Sequence, residues 1–250
     1  MATISVSNIR KGYRGKTVLR DVSFTVQNGD CIAVLGGNGT GKSTLLRTLA
    51  GVIPPDGGQF LWNEFDLMHD EARRTAFVGY VPQGTPLLQE LSARDNLRLW
   101  YDRESLEQSL DAGVLKLLGV DRFLKTPVYR MSGGMKKRLS IGCAVAHDPR
   151  ILLLDEPSAA LDLVCKEHIL HYLETFRKRG GVAILSTHDV QEIGACSACY
   201  MLRGGVAEPY AFDGDVERLV EDLQSRDRVS CDTLRCSADA CCASCRRRCS

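Results

Sequence analysis

Gly36-Gly37-Asn38-Gly39-Thr40-Gly41-Lys42-Ser43 fits the phosphate-cradle pattern G-x-x-x-x-G-K-S/T. Glycines at these spacings let the backbone curl until consecutive N–H groups converge on phosphate oxygens. The chemistry this supports is nucleoside triphosphate binding. Lys42 is placed to reach the β- and γ-phosphates, the Ser43 hydroxyl to help hold Mg²⁺, and Thr44 follows directly in the cradle. A second pair, Asp155-Glu156, ends the apolar run Ile151-Leu152-Leu153-Leu154. Asp155 suits a Mg²⁺ contact, direct or through water, because hard cations prefer oxygen ligands. Glu156 is then positioned to orient and deprotonate an attacking water, a role that contributes about 10²–10⁴-fold. Adjacent acids after a strand can also simply cap the next element. Their place downstream of a phosphate cradle favours the catalytic reading.

The elements that must hold these residues can be read beside them. Cys31-Ile32-Ala33-Val34-Leu35 is an unbroken apolar run, consistent with a strand buried on both faces. A helix is expected to start near Lys42 and to run through Leu45, Leu46 and Leu49, with its positive end facing the anion. A chance glycine-rich turn would not be framed by such a strand and helix. Ile151 to Leu154 predicts a central strand whose carboxyl end lies where ligands bind in open α/β sheets. Between the two pairs stands Ser132-Gly133-Gly134, which a simple phosphate-cradle enzyme does not need. Ser132 is a good N-cap, and the glycines allow close backbone approach to an anion. Leu139, Gly142, Cys143 and Ala146 follow at i, i+3, i+4 and i+7, the pattern of an amphipathic helix. Its start would offer free N–H groups to a second phosphate group.

These motifs, in this order over roughly residues 3 to 215, resemble the nucleotide-binding subunit of an ABC transporter. The resemblance implies that Tyr13 stacks on adenine and that Gln83, in Val81-Pro82-Gln83, is the glutamine-loop residue that contacts metal and water and senses the membrane partner. It makes Ser132-Gly133-Gly134 the signature motif and Ser158-Ala159-Ala160-Leu161-Asp162 the loop that crosses the dimer interface. His188, after Val182-Ala183-Ile184-Leu185, becomes the switch histidine on the γ-phosphate. It further implies ATP and Mg²⁺ as ligands, and a head-to-tail homodimer or heterodimer in which each signature closes over the other subunit's γ-phosphate. Transmembrane permease subunits would be the partners, at the cytoplasmic face of the plasma membrane. Each residue has a plainer reading: Tyr13 as a surface aromatic, Gln83 as a loop amide, His188 as a hydrogen-bonded residue at a strand end. The family's commonest fifth signature residue is glutamine, and here it is Met135, which lacks an amide for the opposing nucleotide. Ser-Gly-Gly-Met followed by Lys136-Lys137-Arg138-Leu139 resembles exporter ATPases more than nutrient importers. The alternative is a non-transport ABC ATPase acting on a soluble complex such as a cluster-assembly scaffold.

Composition agrees with one nucleotide-binding domain. A chain of 250 residues can bury roughly 70–75% of its unfolded surface. No stretch approaches about 18 uninterrupted apolar residues, and no signal-peptide pattern is apparent at the N-terminus. The membrane path is therefore expected in another polypeptide. A formal net charge of +1 gives no electrostatic reason to expect nucleic acid. The expected fold class is α/β: a P-loop NTPase core with a parallel sheet and flanking helices, an N-terminal antiparallel β subdomain and an inserted α-helical subdomain. The antiparallel part includes Ser23-Phe24-Thr25-Val26 and Gln59-Phe60-Leu61-Trp62, and Phe77 to Val81 reads as a further strand. The helical subdomain is placed at about 86–131, with a helix start at Ser92 and Asp95, then Leu97 and Trp100, and Leu106, Leu110, Val114 and Leu117 at helical spacing. It resembles the family's groove for a short helix of the membrane subunit, and is equally compatible with a plain helical insert. Leu163 to Arg179 predicts a helix, and the strand-helix alternation predicts parallel crossovers. No internal repeat is evident.

The expected domain covers 1–222, and 223–250 forms a cysteine-rich tail. Cys231, Cys236, Cys241, Cys242, Cys245 and Cys249 crowd it, with Arg246-Arg247-Arg248 among them. Cys242-x-x-Cys245, with Cys196-x-x-Cys199, could bind a soft metal or an iron–sulfur cluster. The spacings match no strong zinc template and no histidine lies nearby. Few apolar residues and a reducing cytosol favour a disordered, reduced tail, with Cys196 and Cys199 as buried thiols.

Overall fold

The computed structural model describes residues 3–159 and 161–224. The cysteine-rich tail lies outside the described residues. β1 (Thr3–Tyr13) and β2 (Lys16–Gln27) form a hairpin turned at Arg14-Gly15, both with positive φ, which suits the twist of paired strands. β3 (Cys31–Leu35), buried at every residue, runs through the glycine-rich loop into α1 (Lys42–Leu49). β4 (Gly57–Trp62) and β5 (Phe65–Asp66) extend the antiparallel arm, and α2 (Glu71–Phe77) leads into β6 (Val78–Val81). The helical region holds α3 (Ala93–Leu97), α4 (Arg103–Asp111), α5 (Val114–Leu117), two short 3₁₀ turns and α6 (Gly133–Ala144). The chain then alternates through β7 (Ile151–Asp155), α7 (Leu163–Lys178), β8 (Val182–Ser186), α8 (Val190–Ala195), β9 (Ala198–Arg203) and β10 (Val206–Tyr210) to α9 (Val216–Gln224).

All the strands join one sheet in the order β5-β4-β1-β2-β10-β9-β3-β8-β7-β6. The run β9-β3-β8-β7-β6 is parallel, and the N-terminal arm is antiparallel. Register sets the site. Val34 pairs with Ser186, Ser186 with Asp155, and Val81 with Leu154. The carboxyl ends of β3, β8, β7 and β6 therefore lie level, and the loops that follow them carry Lys42, His188, Glu156 and Gln83.

Alternation along the strands divides the core. Ile32 and Val34, with Ile151 and Leu153, pack with Leu45, Leu46 and Leu49 of α1 and with the antiparallel arm. Ala33 and Leu35, with Leu152 and Leu154, face α6, α7 and the helical region. A strand covered on both faces has no polar side to show, which is why β3 and β7 read as continuous apolar runs. No helix among the described residues is long and apolar enough to cross a membrane.

Four expectations change. Leu106 and Leu117 do not share one helix: α4 ends at Asp111, and at Gly113 a Cβ would stand 2.7 Å from Ser109 Cα. Trp100 is 64% exposed, whereas Leu97 is buried. α6 is not amphipathic. Lys137, Arg138, Leu139, Ser140, Ile141, Gly142 and Cys143 are all buried, and Ala146 lies past its end. The helix is enclosed between the sheet and the helical layer, so its polar residues are buried with the apolar ones. The last helix also continues through Gln224, two residues beyond the expected domain boundary.

Candidate active site

The phosphate cradle is built by backbone. Gly36 has φ 149°, and a Cβ there would lie 2.7 Å from the Leu202 carbonyl oxygen and 2.8 Å from Thr40 Oγ1, so only glycine fits. Thr40 Oγ1 donates to the Gly37 carbonyl at 2.9 Å and so fixes the curl. Gly41 heads α1 without a side-chain cap, and no acidic residue occupies the first turn. That leaves the positive end of the helix open to an anion. Lys42 Nζ donates to the carbonyls of Gly36 at 2.7 Å and Gly37 at 3.1 Å, inside the loop it is expected to serve. Burial lowers its pKa, against the charges of Glu156 and Asp155, which raise it.

Asp155 ends β7 at 1% exposure. Its Oδ1 accepts from Ser43 Oγ at 3.1 Å and from Ser186 Oγ at 2.6 Å. Its Oδ2 is buried with no hydrogen-bond partner. A buried acceptor left without a donor is costly, and beside the Ser43 hydroxyl it is the oxygen donor a hard cation takes. The residues present therefore fit Mg²⁺.

Glu156 departs from strand geometry at φ 47°, and its N–H donates to the Ser186 carbonyl at 3.0 Å. This backbone turn swings the carboxylate toward the neighbouring loops. Oε2 accepts from Gln83 Nε2 at 2.8 Å, and Oε1 lies 3.7 Å from His188 Nε2. Glu156, Ser158, Thr187 and His188 line a recess of about 230 Å³. Burial lowers the His188 pKa, the Lys42 charge lowers it further, and Glu156 opposes both. The imidazole is thus uncharged near neutral pH, with one nitrogen free to accept and the other to donate.

The structure gathers Lys42, Ser43, Gln83, Asp155, Glu156 and His188 in one constellation. Tyr13, 44% exposed, sits at the tip of the β1–β2 hairpin, where Val18 on the return strand backs Gly41. Thr44, Asn38 and Gly39 lie in the same cradle. Ser132 caps α6 by accepting from the Met135 N–H at 3.2 Å, as its type predicts. Ser132 and Gly133 are exposed at the helix start. No hydrogen bond joins either to the cradle among the described residues. The two glycines have different reasons. A Cβ at Gly133 meets nothing nearer than 3.9 Å, whereas one at Gly134 would strike Cys165 Sγ at 2.3 Å. Gly134 is there for the packing of α6 on α7. The Met135 side chain packs against the core.

Sequence reasoning missed three supports. Ser186 holds both Asp155 and the Glu156 backbone. Buried Glu192 accepts from Thr187 Oγ1, tying α8 to the loop of His188. Lys166 pairs with Asp189 at 2.5 Å across the same loop. Hydroxyls and carboxylates after strands are too common to stand out. Cys196 Sγ lies 3.4 Å from Cys31 Sγ, both as free thiols. No metal-binding group of three or more ligands occurs among the described residues.

Residues 19–159 match the ABC transporter family model. The chain is 32% identical over 215 residues to the lipopolysaccharide export system ATP-binding protein LptB of Escherichia coli K12, covering 82% of this chain and 88% of that one. It is 31% identical over 194 residues to the linearmycin resistance ATP-binding protein LnrL of Bacillus subtilis, covering 76% of this chain and 62% of the relative's length. A solved ATP-binding subunit of an ABC transporter superposes with a TM-score of 0.77 at 25% identity, covering 89% of this chain and 99% of that one. The fold and the constellation are those of an ATP-hydrolysing cassette. The chain belongs to the ABC transporter family.

Proposed function

We propose that this chain is the ATP-hydrolysing subunit of an ABC exporter, working as a dimer of cassettes, homomeric or heteromeric, beneath transmembrane permease subunits at the cytoplasmic face of the plasma membrane. The observation that carries the catalytic part is the carboxylate of Glu156 held between Gln83 and His188, beside an open helix start and Lys42. Export is supported by the name of the LptB relative and by the basic residues that follow Met135.

On ATP binding, Lys42 exchanges the Gly36 and Gly37 carbonyls for phosphate oxygens, and the α1 N–H groups receive the same anion. Asp155 and Ser43 would hold Mg²⁺, which would supply neutralisation of phosphate charge. Glu156 takes a proton from water, with Gln83 fixing one carboxylate oxygen. His188, uncharged, donates to the γ-phosphate. Tyr13 offers a face to adenine. Ser132 and the exposed Gly133 close over the other copy's γ-phosphate, so ATP joins two copies and its hydrolysis releases them. Exposed Leu88, Leu99, Trp100 and Tyr129 in the helical region suit a docking helix of the permease.

Affinity isolation of the tagged chain from detergent-solubilised membranes tests this. A multispanning partner is the expected result. A soluble scaffold in its place would favour the non-transport reading.

A further inference from the structure

Lys137 sits in the basic run after the signature, yet it is 4% exposed. A buried ammonium needs partners. Its Nζ donates to the Pro82 carbonyl at 3.0 Å and to the Gln83 carbonyl at 3.3 Å. Burial lowers its pKa, while Asp155, Glu192 and Glu156 favour the charged form. The residue thus grips the backbone of Gln83, and the Gln83 side chain grips Glu156 Oε2. α6 itself begins at the Ser132 cap. One rigid element therefore runs from the exposed signature start to the loop that holds the carboxylate.

We propose that Lys137 is a positioning residue, which makes the placement of the Glu156 carboxylate, through Gln83, depend on the seating of α6. Closure of a second copy on Ser132 would in this way be felt at the first copy's own carboxylate. The proposal rests on Glu156 and Gln83 having the roles given above. The neighbouring Arg138 donates instead to the Gly134 and Leu118 carbonyls, within the helical layer, and does not reach the site.

The test is a kinetic cycle on the full chain with Lys137→Met, Gln83→Ala and the double variant, together with Glu156→Gln. Methionine keeps the stem as far as Cε and removes the donors. The expected result is a kcat lowered about tenfold by Lys137→Met with KM for ATP within about twofold of wild type. In the Gln83→Ala background the same change should cost less than about twofold, because the linkage is already cut. Lys137→Gln, which keeps a donating amide nitrogen on a shorter arm, should recover part of the loss. Independent, multiplicative losses, or an unchanged kcat in Lys137→Met, would overturn the proposal. If Lys137→Met does not fold, Lys137→Gln carries the cycle, and failure of both to fold makes the residue structural and the proposal wrong. Turnover surviving in Glu156→Gln would instead sink the underlying assignment, so the two failures are distinguishable.

Discussion

Gln83 Nε2 donates to Glu156 Oε2 across 2.8 Å, joining the loop after β6 to the end of β7. The bond depends on an unusual backbone. Glu156 adopts φ 47°, a conformation that costs a non-glycine residue about 1–3 kcal/mol and persists only where its surroundings demand it. Here the Ser186 carbonyl and hydroxyl both receive the Glu156 N–H and hold the turn.

Replacing Glu156 with glutamine keeps the shape and removes the base. Hydrolysis should fall by about 10²–10⁴-fold while ATP affinity stays near wild type, and a nucleotide-bound dimer should accumulate. Phosphate release and size-exclusion chromatography with ATP read both effects. Unchanged turnover rules out Glu156 as the base.

Lys42→Ala should weaken ATP binding by at least about tenfold, roughly 1.4 kcal/mol. Calorimetric titration measures it directly. Wild-type affinity would contradict the assigned cradle, because Lys42 is the buried cation inside that loop.

The His188 imidazole should titrate below its ordinary value of 6.5, since burial and Lys42 both oppose its charge. Lys42→Ala should move its midpoint up, and Glu156→Gln, which removes the one favourable charge, should move it down. NMR titration of the ring gives both signs. A folded pKa below the unfolded one means that this group's contribution to stability is complete above 6.5 and is lost as pH falls through the folded value.

Glu192 has the opposite sign. It is 2% exposed, and burial raises its pKa above 4.5. Its contribution to stability is complete below 4.5 and is lost as pH rises through the folded value. Glu192→Gln can still accept from Thr187 and removes the buried charge. It should melt higher than wild type at neutral pH, by roughly 2–4 °C, with the gap closing toward acid. A constant gap across that range would contradict a charge effect.

Local windows carried much of this site. The cradle, the strand before it and the helix after it lie in one short stretch, so spacing alone exposes them. The same holds for Asp155 and Glu156 after an apolar strand. What escaped depends on packing between distant segments. Gly134 is needed because Cys165 crosses it. Lys137 and Glu192 are buried by neighbours that periodicity cannot see. α6 shows no single apolar face because it is covered nearly all round, and the helical spacing of Leu106 to Leu117 is broken at Gly113.

The central claim is that one copy supplies the bed for the triphosphate and another supplies Ser132 over it. Turnover per chain, followed across a dilution series with particle mass determined at each concentration, tests it most directly. The account predicts hydrolysis only from two-chain particles, a fall on dilution to single chains, and a further loss on Ser132→Arg. Full turnover from particles of single-chain mass, indifferent to Ser132→Arg, would contradict it.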